Sequence, residues 1–171
     1  MPTPTYTAIA KTVLTGTQAT ITFSSIHSTC ADLILLVNAR DNYAAEFSGL
    51  YLKLNNDTGS NYSYIYLRGQ STTASSTSGS QGAPGYIDGN TATSNTFGNA
   101  ELYFPNYTSS NNKPISATMV SEHNSATAGT AWIVASANLW RNTAAISQID
   151  LTAWGSFVSG SRFDLYGIKN S

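Results

Sequence analysis

The two histidines are the residues of this sequence best suited to acid–base or metal chemistry. His27 and His123 each follow an apolar segment and lie among Ser, Thr and Asn. A protein metal site needs several clustered ligands, and no Cys/His cluster or run of carboxylates accompanies either histidine. Remote acids can still meet a histidine in the folded chain, which leaves a hidden hydrolase as one hypothesis. We expect both to be ordinary loop histidines.

The sequence matches other known motifs for catalysis and metal binding poorly. Residues 155–160 read GSFVSG, which lacks the spacing of a nucleophile elbow and precedes a predicted strand instead of a helix. The nine acidic residues are dispersed, with no motif that pairs two carboxylates for glycoside hydrolysis. The oxygens of Asn55, Asn56 and Asp57 suit calcium, but no acidic ligand follows them, and a hairpin turn is favoured. We predict no catalytic residue, no metal and no cofactor.

Aromatic side chains offer a binding chemistry instead. The chain has 10 tyrosines and 3 tryptophans, which are residue types that contact proteins and stack on sugars. Tyr62, Tyr64 and Tyr66 fall on one face of a strand by the period-two rule. That row is either an exposed binding platform or a cross-strand ladder inside a sandwich, and the ladder is favoured. The residues predicted to contact a partner are Thr3, Pro4, Tyr62, Tyr64, Tyr66, Tyr86 and Tyr107.

Charge is scarce in this sequence. Charged residues make up 10% of the chain and the net charge is −1, whereas about 25% is typical of soluble domains. Such a chain has no strong field to attract phosphates, which argues against a nucleic-acid partner. Its surface of Ser, Thr, Asn and Gly can be buried against a protein at a lower desolvation cost than Lys or Glu. The same composition is also common in β-rich proteins generally.

The sequence predicts no disulfide, no signal peptide and no membrane span. Cys30 is the only cysteine and precedes the apolar run 33–37, so we expect a buried structural thiol. The first residues form neither a basic nor an apolar segment. No apolar run approaches the roughly 20 residues that cross a bilayer, and no membrane partner is expected.

Apolar residues recur at every second position over most of the chain, as in residues 19–23. About 8–10 short strands separated by turn residues predict an all-β, antiparallel β-sandwich with little helix, and jelly-roll connectivity is favoured. We expect a single domain over residues 1–171, in which residues 1–5 are an extended N-terminal arm. Residues 69–99 are predicted to form a long loop that contains at most a brief strand.

The last third of the chain carries a pattern that points to a family. Residues 139–151 read LWRNTAAISQIDL, a turn that includes Trp154 is expected near residues 155–157, and residues 160–168 read GSRFDLYGI. Two amphipathic strands and a glycine-rich turn in this arrangement resemble the C-terminal end of small bacteriophage virion structural proteins. The resemblance is to the capsid decoration or cement type, with a jelly-roll-like fold. It implies a virion component and assigns no catalytic residue.

The leading hypothesis is a non-catalytic capsid decoration protein that binds the major capsid protein on the outer shell and stabilises it. It would act by mass action, since a ligand of the assembled shell alone stabilises that shell. We expect a homotrimer, located in the virion after assembly in the host bacterial cytoplasm. The alternative is a tail-fibre module that binds a receptor or a glycan. The aromatic content and the long segment of residues 69–99 support this alternative.

Overall fold

The computed structural model describes residues 5–124 and 131–169, which form twelve strands and no helix. The strands are β1 (Tyr6–Val13), β2 (Gln18–Phe23), β3 (Asp32–Ala39), β4 (Phe47–Leu54), β5 (Tyr62–Gln70), β6 (Thr73–Gly79), β7 (Gly85–Asp88), β8 (Gly98–Phe104), β9 (Lys113–Ser121), β10 (Trp132–Trp140), β11 (Ile149–Phe157) and β12 (Arg162–Ile168). Every pair of neighbouring strands is antiparallel. The prediction of an all-β, antiparallel sandwich is confirmed, with more strands than expected.

The strands form two sheets of unequal width. The larger sheet has the order β1-β12-β3-β8-β9-β10-β5-β6, and the smaller sheet has the order β2-β11-β4-β7. Successive strands β1 to β4 alternate between the two sheets, and so do β7 and β8, and β11 and β12. The hairpins β5–β6 and β9–β10 do not alternate, because both add to the larger sheet beyond β8. One sheet is therefore twice as wide as the other.

The core consists of period-two apolar positions that the two sheets turn toward each other. In β3, Leu33 and Leu35 are fully buried, and Leu50 and Leu54 of β4 are buried as completely from the opposite sheet. Removing such side chains from water is the main driving force for folding. Cys30 is a buried free thiol beside this core, which confirms the prediction for the single cysteine.

Residues 69–99 are not the long loop that the sequence predicted. They contain β6 and β7, and β8 begins at Gly98. β6 pairs with β5 along its whole length, although its residues are Thr, Ala, Ser and Gly and almost all are exposed. An edge strand with both faces in water is held by backbone hydrogen bonds and needs no apolar side chains. For that reason the polar composition of this segment concealed a strand.

The predicted turn at residues 155–157 lies instead inside β11. The strand continues to Phe157, and the chain reverses only over residues 158–161. Phe157 is fully buried, and its ring packs edge-on against Phe163 with 5.0 Å between centroids. The register of β11 shifts between Thr152 and Phe157, so the glycine-containing stretch is an irregularity within the strand and not its end. Trp154, which was expected at a turn, therefore lies within a strand.

The loop between β4 and β5 has the turn chemistry that the sequence predicted, but it is not a hairpin: β4 belongs to the smaller sheet and β5 to the larger one, so the loop connects the two sheets. Asn55 and Asn56 have φ angles of 50° and 58°, in the left-handed region that asparagine tolerates. The carboxylate of Asp57 accepts a hydrogen bond from Nε1 of Trp140 at 2.7 Å, and two more from groups of the loop itself at 2.8 Å. These donors, the indole first, hold the pKa of Asp57 below its usual value.

Replacing Asp57 by alanine should lower the free energy of unfolding by about 1–3 kcal/mol at neutral pH, because the Trp140 indole N–H loses its acceptor. Thr58→Ala in the same loop is the control and should cost less than about 0.5 kcal/mol. Urea denaturation of both variants and the wild type measures the difference.

The same variant should show a pH dependence. Because the pKa of Asp57 is lower in the folded state than its ordinary value of 3.8, its contribution is present above that value and is lost as the pH falls through the folded pKa. The stability gap between the wild type and Asp57→Ala should therefore narrow in acid. A gap that stays constant from neutral pH down to about pH 2 would contradict this assignment.

Candidate functional site

The unequal width of the sheets leaves part of the larger sheet without a facing strand. β7 is the last strand of the smaller sheet and packs against β9, whereas β10, β5 and β6 extend further along the larger sheet. Rings from the inner side of these strands meet rings from the edge of the smaller sheet. This aromatic cluster consists of Tyr43, Phe47, Tyr51, Tyr64, Tyr66, Tyr86, Trp132 and Trp154.

Tyr86 of β7 is at the centre of the aromatic cluster. Its ring centroid lies 4.8 Å from that of Trp132 and 5.5 Å from that of Phe47. Its hydroxyl lies 2.7 Å from the hydroxyl of Tyr66, and burial raises the pKa of Tyr86 well above its usual value. The guanidinium of Arg68 lies 4.3 Å from the Trp132 ring centroid as a cation–π contact. These contacts join the two sheets where no ladder of backbone hydrogen bonds connects them.

Trp154 of β11 lies flat on the outer face of the smaller sheet. A Cβ atom on Gly49 would lie only 2.6 Å from the indole Nε1, so the ring can rest there only over a glycine. Nε1 donates a hydrogen bond to the hydroxyl of Tyr51 at 2.8 Å, and the Tyr43 ring packs edge-on at 5.1 Å. The side chain is 41% exposed. Gly49 therefore covers part of the indole, and a substantial part of the side chain remains open to solvent.

A second ring lies over a glycine on the facing strands. Tyr64 of β5 pairs with Gly79 of β6, and a Cβ atom on that glycine would come within 2.6 Å of the tyrosine ring. The Tyr64 ring stacks on Tyr66, with 5.5 Å between centroids and 9° between planes. Desolvation is the main cause that raises the pKa of Tyr64, and the neighbouring tyrosines add to it. The ring is therefore held in place on two sides.

The two flat rings line one narrow cleft. This aromatic cleft, with a volume of about 50 Å³, is lined by Tyr51, Tyr64, Tyr66, Gln81, Tyr86 and Trp154, among others. A wider polar groove of about 540 Å³ lies next to it, between the β4–β5 loop and residues 80–82. Tyr51 and Gln81 line both, so the cleft and the groove form one continuous concave surface.

Two of the residues predicted to contact a partner are core residues. Tyr62 is buried, its hydroxyl accepts a backbone N–H at 2.9 Å, and burial raises its pKa to about 12. Tyr107 is fully buried, and its hydroxyl donates to the backbone carbonyl of His27. Tyr107 has no exposed surface with which to contact a partner, which corrects the prediction for that residue, whereas Tyr62 also lines the polar groove described above. Thr3 and Pro4, predicted to lie in a binding arm, fall outside the described residues.

The other predicted tyrosines come together, as part of the aromatic cluster. Tyr64, Tyr66 and Tyr86 all line the aromatic cleft, and Tyr64 and Tyr66 share a strand face as the period-two rule predicted. The sequence did not identify Tyr51 or Trp154, the partners on the other wall. The pairing of Trp154 with Gly49 joins residues more than a hundred positions apart, and no local pattern signals it.

Neither histidine lines the aromatic cleft or the polar groove. His27 is in an exposed loop, whereas His123 is buried with its Nε2 3.7 Å from a carboxylate oxygen of Glu46. Within residues 5–124 and 131–169, no group of three or more His, Cys, Asp or Glu side chains is arranged to hold a metal ion. The concave surface is therefore a candidate for binding, built from aromatic and neutral polar groups.

The opposite side of β5 forms a second candidate surface. Ile65, Leu67 and Ile133 are 55%, 65% and 57% exposed there. We name as the uncharged face the outward positions of β5, β9 and β10: Ser63, Ile65, Leu67, Gly69, Pro114, Ser116, Thr118, Val120, Ile133, Ala135, Ala137 and Leu139. Charged side chains border this face: Arg141, directly after β10, donates a hydrogen bond to the Ser63 hydroxyl at 3.2 Å, and Glu101 of β8 pairs with Thr118 of β9. Exposed apolar patches of this kind mark interaction surfaces.

Comparison with known proteins identifies no relative: no family model, no curated protein and no solved structure matches the chain. The resemblance to phage virion proteins, which depends on the last strands, therefore stays a prediction. In the described part of the chain, no helix is long and apolar enough to cross a membrane.

Replacing Gly49 by alanine should displace the Trp154 indole, because the added methyl group would overlap Nε1. We expect loss of the hydrogen bond to Tyr51, a shifted Trp154 indole N–H resonance in an NMR spectrum, and a destabilisation of about 1–3 kcal/mol. Gly16→Ala is the matched control, since a Cβ atom there meets nothing within 4 Å. If the Trp154 resonance were unchanged in Gly49→Ala, the flat placement of the ring would be wrong.

Proposed function

We propose that the protein is a non-catalytic structural component of a phage virion, a capsid decoration protein that attaches through its uncharged face to the major capsid protein. The observation that carries this proposal is the exposure of Ile65, Leu67 and Ile133 on a sheet face where the outward positions of β5, β9 and β10 are all uncharged. The resemblance of the last strands to small virion proteins supports the choice of partner. The location that follows is the outer surface of the shell.

The energetics of the uncharged face suit docking to a protein. Each of its three large apolar side chains is more than half exposed, so covering one should contribute on the order of 1 kcal/mol. The Ser, Thr and Ala positions around them can be dehydrated without stripping water from a charge. Ala135 and Ala137 occupy the central part of the face, and their short side chains do not protrude from the sheet. A flat protein surface can therefore approach the strands closely.

Modest affinity per copy is sufficient for such a protein. Binding to the assembled shell stabilises that shell by the binding free energy, which is multiplied over many copies. A homotrimer would add to this, since three linked faces bind with a higher effective concentration than one. The scarcity of charge over the whole chain supports this mode of attachment, because it needs no salt-sensitive ion pairs.

We also infer jelly-roll connectivity. Without the two added hairpins, the sheets have the orders β1-β12-β3-β8 and β2-β11-β4-β7. These are the orders that two interlocked Greek keys produce, and viral capsid domains are among the proteins that use them. The hairpins β5–β6 and β9–β10 widen one sheet of this framework and carry the uncharged face.

The test is binding to empty shells of the phage that encodes the protein, prepared without it. The wild type should co-sediment with these shells and raise their temperature of thermal disruption. Leu67→Glu, which places a charge at the most exposed apolar position of the uncharged face, should weaken binding at least ten-fold. Val13→Glu is the matched control: Val13 is 50% exposed on the opposite edge of the same sheet, and the variant should bind as the wild type does.

Two outcomes would overturn the proposal. One is a wild-type protein that does not bind the shells, and the other is a Leu67→Glu variant that binds them undiminished. Light scattering of the purified variants separates docking from self-association. If Leu67→Glu alone converts an oligomer to monomers, the uncharged face is an interface between copies of this chain instead of the surface that meets the capsid.

A further inference from the structure

We propose that the aromatic cleft and the adjoining polar groove form a binding site for a neutral oligosaccharide. This goes beyond attachment to a shell, because the site lies on the opposite side of β5 from the uncharged face. It also gives a definite location to the glycan-binding activity that the sequence raised only as an alternative.

The first support for this proposal is the geometry of the rings. Trp154 packs against Gly49 of a neighbouring strand and lines the cleft, and Tyr64, held between Gly79 and Tyr66, forms part of the opposite wall. The apolar C–H face of a sugar ring packs against the face of an aromatic ring, so a lectin needs flat rings with one side open to solvent. A side chain kept only for the core would be covered on both sides, whereas Trp154 remains 41% exposed.

The second support is that these rings are positioned before any ligand binds. The indole N–H of Trp154 is hydrogen-bonded to Tyr51 at 2.8 Å, and the hydroxyls of Tyr66 and Tyr86 are 2.7 Å apart. A rigid site loses less conformational entropy on binding. The Tyr51 oxygen accepts the indole proton and keeps its own proton to donate, at the junction of the cleft and the groove. It is well placed to bind a sugar hydroxyl.

The third support is the chemistry of the polar groove. Its walls carry hydroxyl and amide groups, including Ser60, Ser80 and Gln81, which suit the many hydroxyls of a saccharide. The charged groups in its lining are one of each sign, Lys53 and Asp57. Lys53 lies 3.8 Å from a buried carboxylate, and the Asp57 carboxylate accepts hydrogen bonds from Trp140 and from groups of its own loop. With no net charge to attract an ion, the groove fits an uncharged ligand.

Size also agrees with this class of ligand. The groove has a volume of about 540 Å³, within the roughly 300–1,000 Å³ of typical small-molecule sites. The cleft, at about 50 Å³, admits only the edge of one ring. The expected ligand is therefore a short oligosaccharide that stacks one residue on Trp154 and extends the others along the groove. Proline-rich peptides also dock on aromatic grooves, and the experiment must separate them from sugars.

The experiment screens the full chain on an array of neutral and acidic oligosaccharides, followed by titration of the best ligand with indole N–H resonances as the readout. We expect a neutral oligosaccharide to bind and to shift the Trp154 resonance more than those of Trp132 and Trp140. Trp154→Ala should weaken binding at least ten-fold. Tyr51→Phe, which keeps the ring and removes the hydroxyl, should weaken it several-fold without loss of folded structure.

Matched controls distinguish sugar binding at this site from non-specific binding. Tyr6→Ala also removes an exposed aromatic ring, 58% exposed on the far edge of the larger sheet, and should leave sugar binding unchanged. Leu67→Glu should bind sugar as the wild type does, although its binding to the phage shell is expected to be weaker. The proposal of shell attachment and the proposal of sugar binding can therefore fail separately. Thermal denaturation of each variant confirms that it is folded.

Any of three results would overturn the proposal. The first is that no neutral oligosaccharide on the array binds. The second is that Trp154→Ala binds sugar as tightly as the wild type does, and the third is that a proline-rich peptide binds at the same rings in preference to a sugar. Binding restricted to acidic sugars would also count against it, since the groove offers no net positive charge to hold them.

Discussion

An eight-stranded sheet that faces a four-stranded one has to cover the apolar side of its extra strands by some other means. In this protein the means are aromatic rings, which fill the space beyond β7 because large planar side chains bury much area from few positions. Tyr86 touches rings from both sheets and so closes the edge of the sandwich. The aromatic cluster, the cleft beside it and the exposed uncharged face are all consequences of this difference in width.

β5 shows how one strand serves two surfaces. Tyr64 and Tyr66 turn inward to the aromatic cluster, and Ile65 and Leu67 turn outward to the uncharged face. Alternation along a strand makes this unavoidable, since successive side chains point to opposite sides of the sheet. The two faces then meet different environments. Rings on the inner side pack against neighbouring rings. Aliphatic side chains on the outer side are exposed to water unless a partner covers them.

Buried polar groups hold the connections that frame these surfaces. The guanidinium of Arg40 donates to the carbonyls of Asn90, Ala92 and Thr93, at 2.9, 2.8 and 2.6 Å, and so fastens the segment between β7 and β8. Hydrogen bonds from a charged donor are stronger than neutral ones, and a buried donor left without partners would cost more than they contribute. Long loops held in this way behave as part of the scaffold.

The sequence by itself determined the strands with an apolar period of two, the turn after β4, the buried thiol and the shared face of Tyr64 and Tyr66. Those features depend on near neighbours in the chain. It did not reveal β6, the position of Trp154 in a strand, or which side of β5 would be covered. A polar edge strand has no apolar pattern, and a ring lies flat only where a distant glycine admits it. Burial of a face depends on the layer opposite, which only the tertiary structure supplies.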